Sequence, residues 1–343
     1  MNIVFTLCSN NYLAQAKTLG DSLLKYNPEY TFIIGLVDKK NPAIDYSFIK
    51  PHLVIPIEEI SITGFDSLWR KYNLVELNTS VKASFFKYLV KQYPSVKQLF
   101  YFDPDIMVFD SLKTLEKECE NAEILLTPHI LTQIEFDDKW PTENAFLNYG
   151  LYNLGFLGLK VGDESTRFLN WWEERCLYLC FNKPCDGYYV DQLWINLVPL
   201  LFNNVSILKR MGYNAAPWNL HERKDITIKI GYYEMADRLP LVFFHFSNYN
   251  FRLPGQLSKY YTRYNFENCS ELLPIYSAYH GLLLQNRIEV FSNVPCAYVP
   301  MRKIYMKQQR SLRMRIKKFV TFYLKQVLTA IRKSSIELPG KVS

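Results

Sequence analysis

The sequence predicts an α/β fold: a mixed, mainly parallel central sheet flanked by helices, followed by a basic helical tail. Three observations predict it. Unbroken apolar runs such as NIVFTLC (2–8) and TFIIGLV (31–37) read as strands buried on both faces, the mark of a parallel sheet. Between them Leu13, Ala16, Leu19, Leu23 and Leu24 recur at helical spacing, and a strand–helix–strand crossover pairs its strands in parallel. The chain has 343 residues, 49% hydrophobic and 21% charged, enough apolar mass for one large domain with an appendage; a disordered chain is excluded.

The elements follow in order. Asn10 is a candidate cap for the first helix, and the second strand ends at Asp38. A short strand is expected near 52–56. Asn78-Thr79-Ser80 predicts the start of a helix running to about Gln92 and closed by Pro94. QLFYF (98–102) is the next buried strand, and Asp103-Pro104-Asp105 stands at its end before the apolar pattern resumes at 106–109. Further strands are expected at 122–127, 151–159, 205–209, 226–230 and 241–246, with helices at 163–181 and 189–200. The expected division is a catalytic domain at 1–265 with halves meeting near 130, a helical or irregular extension at 266–300, and the tail at 301–343.

Charge is unevenly spread. The formal net charge is +7, but residues 301–343 hold 12 Lys/Arg and one acid, Glu337, while residues 1–300 carry a balance of −4. The body is mildly acidic and the tail strongly basic. The seven cysteines include no CxxC pair, so buried thiols are expected rather than a disulfide framework or a zinc site. The N-terminus lacks a basic n-region and no apolar window reaches a membrane span, so a cytoplasmic protein is expected, with the sequons at Asn78, Asn204 and Asn268 as chance matches.

Asp103 and Asp105 are the sharpest feature. In an extended segment, residues two apart point to the same side. Pro104 fixes its own φ and pushes Asp103 toward an extended conformation. Two close carboxylates repel, and a hard divalent cation between them, itself able to hold phosphate, resolves the repulsion. An ordinary Asp-Pro turn is the competing explanation.

LFYFDPDIMVF resembles the DxD block of GT-A (Rossmann-like) nucleotide-sugar glycosyltransferases, in particular the group containing glycogenin and the bacterial lipopolysaccharide galactosyl- and glucosyltransferases. Five further blocks are similar in order and spacing: 6–28, Thr79–Tyr88, LYNLGFLGLK (151–160), DGYYVDQLWIN (186–196) and VFFHF (242–246). The resemblance covers about residues 1–250. It implies a metal site of Asp103, Asp105 and His245, with Mn²⁺ favoured over Mg²⁺ by the imidazole. It implies donor contacts from Thr6, Ser9, Asn10, Asp38, Lys82 and Asp103, with a UDP-sugar as the donor. It places Asp191 and Gln192, with Asp186, beside the transferred sugar, as general base or as support for an oxocarbenium-like centre. Asn153, Trp218 and Asn219, and more weakly His221, fall on the acceptor side. In one departure from these relatives, Phe246, Ser247, Asn248 and Tyr249 follow His245 in place of a glycine and a phosphate-gripping lysine.

In the tail, residues 301–333 carry eleven Lys/Arg and no acid, with Leu312, Ile316, Phe319, Val320, Tyr323, Leu324, Val327, Leu328 and Ile331 at spacings of three and four. This is an amphipathic basic helix suited to an anionic membrane surface. The expectation is a peripheral enzyme at the inner face of a bacterial plasma membrane, adding sugar to a glycan or lipid-linked acceptor in cell-surface polysaccharide or lipopolysaccharide synthesis, with no nucleic-acid partner. Two other classes compete: a sugar-nucleotide nucleotidyltransferase, weakened because 6–20 contains only Gly20 where a Gly-rich loop is needed, and a non-catalytic membrane- or nucleic-acid-binding protein with a transferase-like body.

Overall fold

The computed structural model describes residues 1–334. The nine residues 335–343, the end of the expected tail, lie outside the described residues. The principal strands are β1 (Asn2–Cys8), β2 (Thr31–Leu36), β3 (Leu53–Pro56), β4 (Gln98–Phe102), β5 (Ile106–Val108), β6 (Ile124–Pro128), β7 (Tyr152–Lys160), β8 (Val205–Ile207) and β9 (Phe243–His245). The principal helices are α1 (Leu13–Tyr26), α2 (Phe65–Lys71), α3 (Leu74–Ser80), α4 (Lys82–Gln92), α5 (Lys113–Asn121), α6 (Glu143–Tyr149), α7 (Asp163–Leu179), α8 (Leu273–Gln285) and α9 (Tyr298–Ser334).

Seven strands form one sheet in the order β8-β6-β7-β4-β1-β2-β3. β1 is parallel to β2 and β4, β2 to β3, and β6 to β8; β7 runs antiparallel between β4 and β6. The mixed, mainly parallel sheet read from the apolar runs is present. Alternation along β1 sorts its side chains to two faces. Val4 and Cys8 join a core with α1 and α8, while Ile3, Phe5 and Leu7 join one with α4 and α7. The 266–300 extension joins both cores, Cys269 through Phe291 the first and Cys296 and Tyr298 the second; Tyr279 of α8 stacks on Phe246 at 3.8 Å between ring centroids.

Four local expectations are corrected. The helix expected from Asn78 is two helices. Asn73 caps α3 through a reciprocal pair of bonds with Glu76, and Val81, at φ −100° and ψ 2°, interrupts the chain before α4. Asn10 does not cap α1; it opens a 3₁₀ turn, and its side chain is bonded elsewhere. The helix expected over 189–200 is a 3₁₀ turn, Leu193–Leu197, and one α turn, Val198–Leu201. Pro199 lies in the first turn of that second segment, where its missing N–H is tolerated, whereas inside one long helix it would break the ladder. The 226–230 run forms Thr227–Lys229, an exposed ribbon with Tyr232–Glu234 outside the central sheet.

The base of α9 packs on α2. Trp69 stacks on Tyr298, and Arg302 donates to the Lys71 carbonyl. From residue 310 to 329 every residue is exposed, including Ile316, Phe319 and Tyr323, so among the described residues this length of the helix is not buried against the body. Among the described residues no helix is long and apolar enough to cross a membrane.

Candidate functional site

The Asp-Pro-Asp segment leaves the C-terminal end of β4 and turns into β5, and two contacts fix its course. The Asp103 N–H donates to the Gly155 carbonyl at 2.7 Å, and the Phe246 N–H donates to the Asp105 carbonyl at 2.9 Å. β9 pairs antiparallel with β5 so that His245 faces Ile106. This register sets His245 beside Asp105, with Nε2 3.1 Å from Oδ1. Asp103, Asp105 and His245 each offer a ligand atom, and these atoms all lie within 4.8 Å of one another.

The trio fits a divalent cation on the chemistry of its donors, two carboxylates and an imidazole. His245 is 4% exposed, and its Nδ1 has no hydrogen-bond partner among the described residues. The ring needs Gly155: a Cβ there would fall 2.5 Å from the imidazole, so any other residue would displace it. Burial depresses the His245 imidazole, but the Asp105 charge and hydrogen bond outweigh burial and raise it. Asp105 is pushed up by burial and held, on balance, below the usual carboxylate range by His245. The Tyr101 hydroxyl donates to Asp103 Oδ1 at 2.6 Å and fixes that carboxylate.

The break at Val81 starts α4 at Lys82, whose side chain is 2% exposed. Its Nζ lies 2.7 Å from Asp191 Oδ2 and 4.0 Å from Asp103 Oδ1, donates to the Leu154 carbonyl at 2.9 Å, and sits 4.2 Å above the Tyr101 ring. The two halves of the ion pair respond unequally. Burial lowers Lys82, but Asp191 and then Asp103 more than offset it and raise the ammonium; in Asp191 burial prevails over Lys82 and the carboxyl is raised. Asp191 follows Val190, a β-branched residue held at φ +42°, which marks backbone strain next to the pair.

Behind them is a buried amide network. Asn153 Oδ1 accepts from the Gly155 N–H and from Asn214 Nδ2, each at 3.0 Å, which turns its own Nδ2 toward His129 Nε2 at 3.2 Å. Burial pushes His129 down to about 3, so the ring is neutral and accepts at Nε2. Gln192 Oε1 accepts from the Leu154 N–H at 2.9 Å and its Nε2 donates to the Tyr149 carbonyl at 2.8 Å. Gln192 is thus held to backbone on both sides.

A cavity of about 710 Å³ collects these groups: Asp103, Asp105, His245, Lys82, Asp191, Gln192, Asn153 and Trp218 all line it. Trp218 packs edge-on against His245 at 5.0 Å and donates its indole N–H to the His129 carbonyl. A smaller cavity of about 210 Å³ shares Asp103 and Asp105 and includes Ser9.

Other expected residues are not brought to the site. Asp186 sits in an exposed turn near Lys183 and lines neither cavity, because the 3₁₀ turn Pro184–Asp186 ends before the chain re-enters the core. Thr6 is fully buried within β1. Asp38 is also fully buried and its carboxylate is saturated: it accepts from the Asn10 amide at 2.8 Å and from the Lys39 and Ala297 N–H groups. Asn10, bonded to Asp38 and Tyr46, is equally occupied. Asn219 caps its own turn through the Ala216 N–H and donates to two carbonyls, with no exposed surface. His221 lies against Thr132 and Glu222, away from the cavity.

Sequence reading missed His129, Tyr12, Tyr101 and a group of cavity aromatics: Trp140, Tyr149, Tyr189, Tyr260 and Tyr261. The 16% aromatic content was a signal, but it carried no position. Gly20, the one glycine in 6–20, lies inside α1 against Phe32 and His52 rather than in a phosphate loop.

No family model matches the chain. YfnF of Bacillus subtilis (strain 168), itself uncharacterized, is 26% identical over 245 residues, spanning 71% of this chain and 80% of its own length. YfnD of the same strain, also uncharacterized, is 24% identical over 180 residues, 50% of this chain and 52% of its own. Among solved structures, the chain is similar to the galactosyltransferase LgtC in complex with donor and acceptor sugar analogues, at 15% identity and a TM-score of 0.45 over 82% of this chain and 95% of that one. It is also similar to the glycosyltransferase GlyE of Streptococcus pneumoniae TIGR4, at 14% identity and a TM-score of 0.43 over 85% and 65% of the two chains. A third similar structure is the bifunctional glycosyltransferase WbbM, at 12% identity and a TM-score of 0.48 over 85% of this chain and 50% of that one.

Proposed function

We propose that the protein is a metal-dependent glycosyltransferase that moves a sugar from a nucleoside diphosphate sugar, UDP-linked by preference, to a glycan or lipid-linked acceptor of the cell surface. The observation that carries this reading is the convergence of Asp103, Asp105 and His245, three residues from two distant chain segments, in one 710 Å³ cavity at the carboxyl end of β4. Mn²⁺ or Mg²⁺ held there would act as a Lewis acid on the departing diphosphate. The rest of the chemistry falls to the chain. Lys82 is the one Lys or Arg among the described cavity-lining residues, and it keeps Asp191 close to the sugar with a counter-charge. Asp191 meets sugar or acceptor hydroxyls. Gln192 and Asn153 present a fixed amide surface beside it, and the aromatic lining keeps bulk water from the reacting centre.

Donor hydrolysis tests this without knowledge of the acceptor. Full-length protein with Mn²⁺ is screened over nucleotide sugars for nucleotide release. The expected result is release from one donor, abolished by chelation and reduced at least ~100-fold, about 3 kcal/mol of transition-state stabilisation, in Asp105→Ala. Full activity in Asp105→Ala would sink the assignment.

The second part of the proposal concerns location. The basic helix α9 holds the enzyme at an anionic membrane surface, the cytoplasmic face in a bacterium. The supporting observation is an exposed apolar series through 312–328, interleaved with Lys and Arg.

A further inference from the structure

We infer that the cavity wall carrying Trp140, Tyr260 and Tyr261 is a sugar-stacking subsite, and that Arg263, buried behind it, is the positioning residue that gives the wall its shape. The identification of the bound sugar as the acceptor rests on the glycosyltransferase reading; the stacking itself does not.

The ionic groups of the cavity belong to the metal trio, Lys82 and Asp191. The wall is different in kind. Trp140 and Tyr260 are 36% and 54% exposed although they line the cavity, with Lys259 Nζ 5.0 Å from the Tyr260 ring centroid. Tyr261 is two ring contacts from the metal trio: its centroid lies 6.4 Å from Trp218, which lies 5.0 Å from His245. A sugar ring has an apolar C–H face and a polar rim. Aromatic planes beside amide and carboxylate groups match both, which places a pyranoside in reach of the reacting centre.

The wall comes from two irregular segments, 135–141 and 260–263, with no strand pairing to hold them. Arg263 supplies the connection. It is 7% exposed, and it grips Asp137 with two nitrogens at 2.8 and 2.6 Å. Its guanidinium also donates to the carbonyls of Glu135 at 3.4 Å, Lys139 at 3.2 Å and Pro141 at 3.4 Å. The backbone locks the same joint: the Trp140 N–H donates to Thr262 Oγ1 at 3.0 Å, and the Thr262 and Arg263 N–H groups donate to the Trp140 carbonyl. Under the wall, Ile134, Phe146, Ala216 and Trp218 form a small core separate from the two main ones, with Tyr261 packed against it. Nη1 and Nη2 hold the two Asp137 oxygens as a bidentate pair, and Nη2 shares its two hydrogens among Asp137 and the three carbonyls; a lysine ammonium, a single point charge, does not reproduce the bidentate grip.

Saturation-transfer NMR on the full chain, with UDP and Mn²⁺ present, tests this using a panel of methyl and p-nitrophenyl glucosides, galactosides and N-acetylglucosaminides. At least one glycoside is expected to bind, with its Kd raised tenfold or more by Trp140→Ala and by Tyr260→Ala. Arg263→Gln should weaken binding to a similar degree while glycoside-independent nucleotide release stays within twofold. Arg263→Lys should retain wild-type melting and still lose at least threefold in glycoside affinity, a split that a merely structural clamp would not produce. No binding by wild type across the panel, or unchanged affinity in the Trp140 and Tyr260 variants, would overturn the subsite. A loss of nucleotide release that parallels the loss of affinity in both Arg263 variants would overturn the positioning role. Glycoside binding as described, without hydrolysis of any nucleotide sugar, would keep the wall and remove the transferase reading.

Discussion

Removing the Lys82 ammonium leaves Asp191, 2% exposed, without its nearest cation. Breaking a buried ion pair from one side costs about 3–5 kcal/mol, because the remaining charge stays desolvated. Lys82→Gln should therefore lower the unfolding free energy at pH 8, extrapolated from urea, by that order. The Asp191 carboxyl is already raised in the folded protein, so its contribution to stability is present at acid pH and lost as pH rises through the folded value. The Lys82→Gln deficit should accordingly be smaller at pH 5 than at pH 8. Urea unfolding at the two pH values checks this, and equal deficits would contradict the assignment of burial as the cause. The double variant Lys82→Met/Asp191→Leu should recover most of the stability and none of the nucleotide release. At this scale the sequence was legible where acids abut a buried strand, as with Asp103 and Asp105; His245, inside an apolar strand, was reached only through the family resemblance. It was not legible for Asp38, Asn10 and Asn219. Those polar side chains stand in loops beside strand ends, as ligand-binding groups do, but the fold saturates their hydrogen bonds internally, and no local pattern reveals that.

At the scale of elements, α1 meets the C-terminal extension through the shared apolar core and through polar ties at Thr18 and Asp21. Asp21 accepts from Lys17, lies 2.9 Å from His52 Nε2, and accepts from the Asn286 amide just beyond α8. Burial pushes the Asp21 carboxyl up, but those three partners outweigh it and hold it below the usual range. A carboxyl depressed on folding stabilises above its unfolded value, about 3.9, and loses that contribution as pH falls toward the folded value. Asp21→Ala should cost about 1.5–3 kcal/mol at pH 7, and the gap from wild type should close below pH 4. Amide exchange should speed up selectively over 286–291, since one of the two Asn286 bonds to α1 is lost while the one to Thr18 remains. Apolar runs found the sheet strands to within two residues or so, because buried parallel strands need no partner pattern to be seen. The division of 78–92 into α3 and α4 escaped notice: Asn73 and Glu76 form a better cap than Asn78, and the chain pauses at Val81, which no Gly or Pro announces. That pause is what points Lys82 into the site.

For the whole molecule, the tail is the separable part. Deleting 310–343 leaves the Trp69–Tyr298 stack and the Arg302–Lys71 contact in place, so the body should keep its melting temperature and its donor hydrolysis. The same deletion should release the protein from anionic liposomes in sedimentation, and raised salt should weaken binding of the full chain. Undiminished binding after deletion would remove the membrane role. The net charge of +7 is thus an average over two unlike regions, and it was readable as such from sequence. The direction in which the tail leaves the body was not, since it depends on how Tyr298 and Tyr305 seat on Trp69.

The tail also begins without a hinge. Ala297, one residue before α9, donates its N–H to Asp38, and Asp38 in turn holds Asn10, two residues from Tyr12 at the cavity rim. Beyond that root, residues 310–331 extend as about 33 Å of continuous helix. A surface that captures this rod does more than retain the enzyme nearby. Under the proposed membrane role it would set the pitch and roll of the body, so that the cavity mouth would keep one bearing relative to the plane below and an acceptor fixed in that plane would meet it from one direction only. Joined by a slack linker, the same residues would deliver proximity without aim.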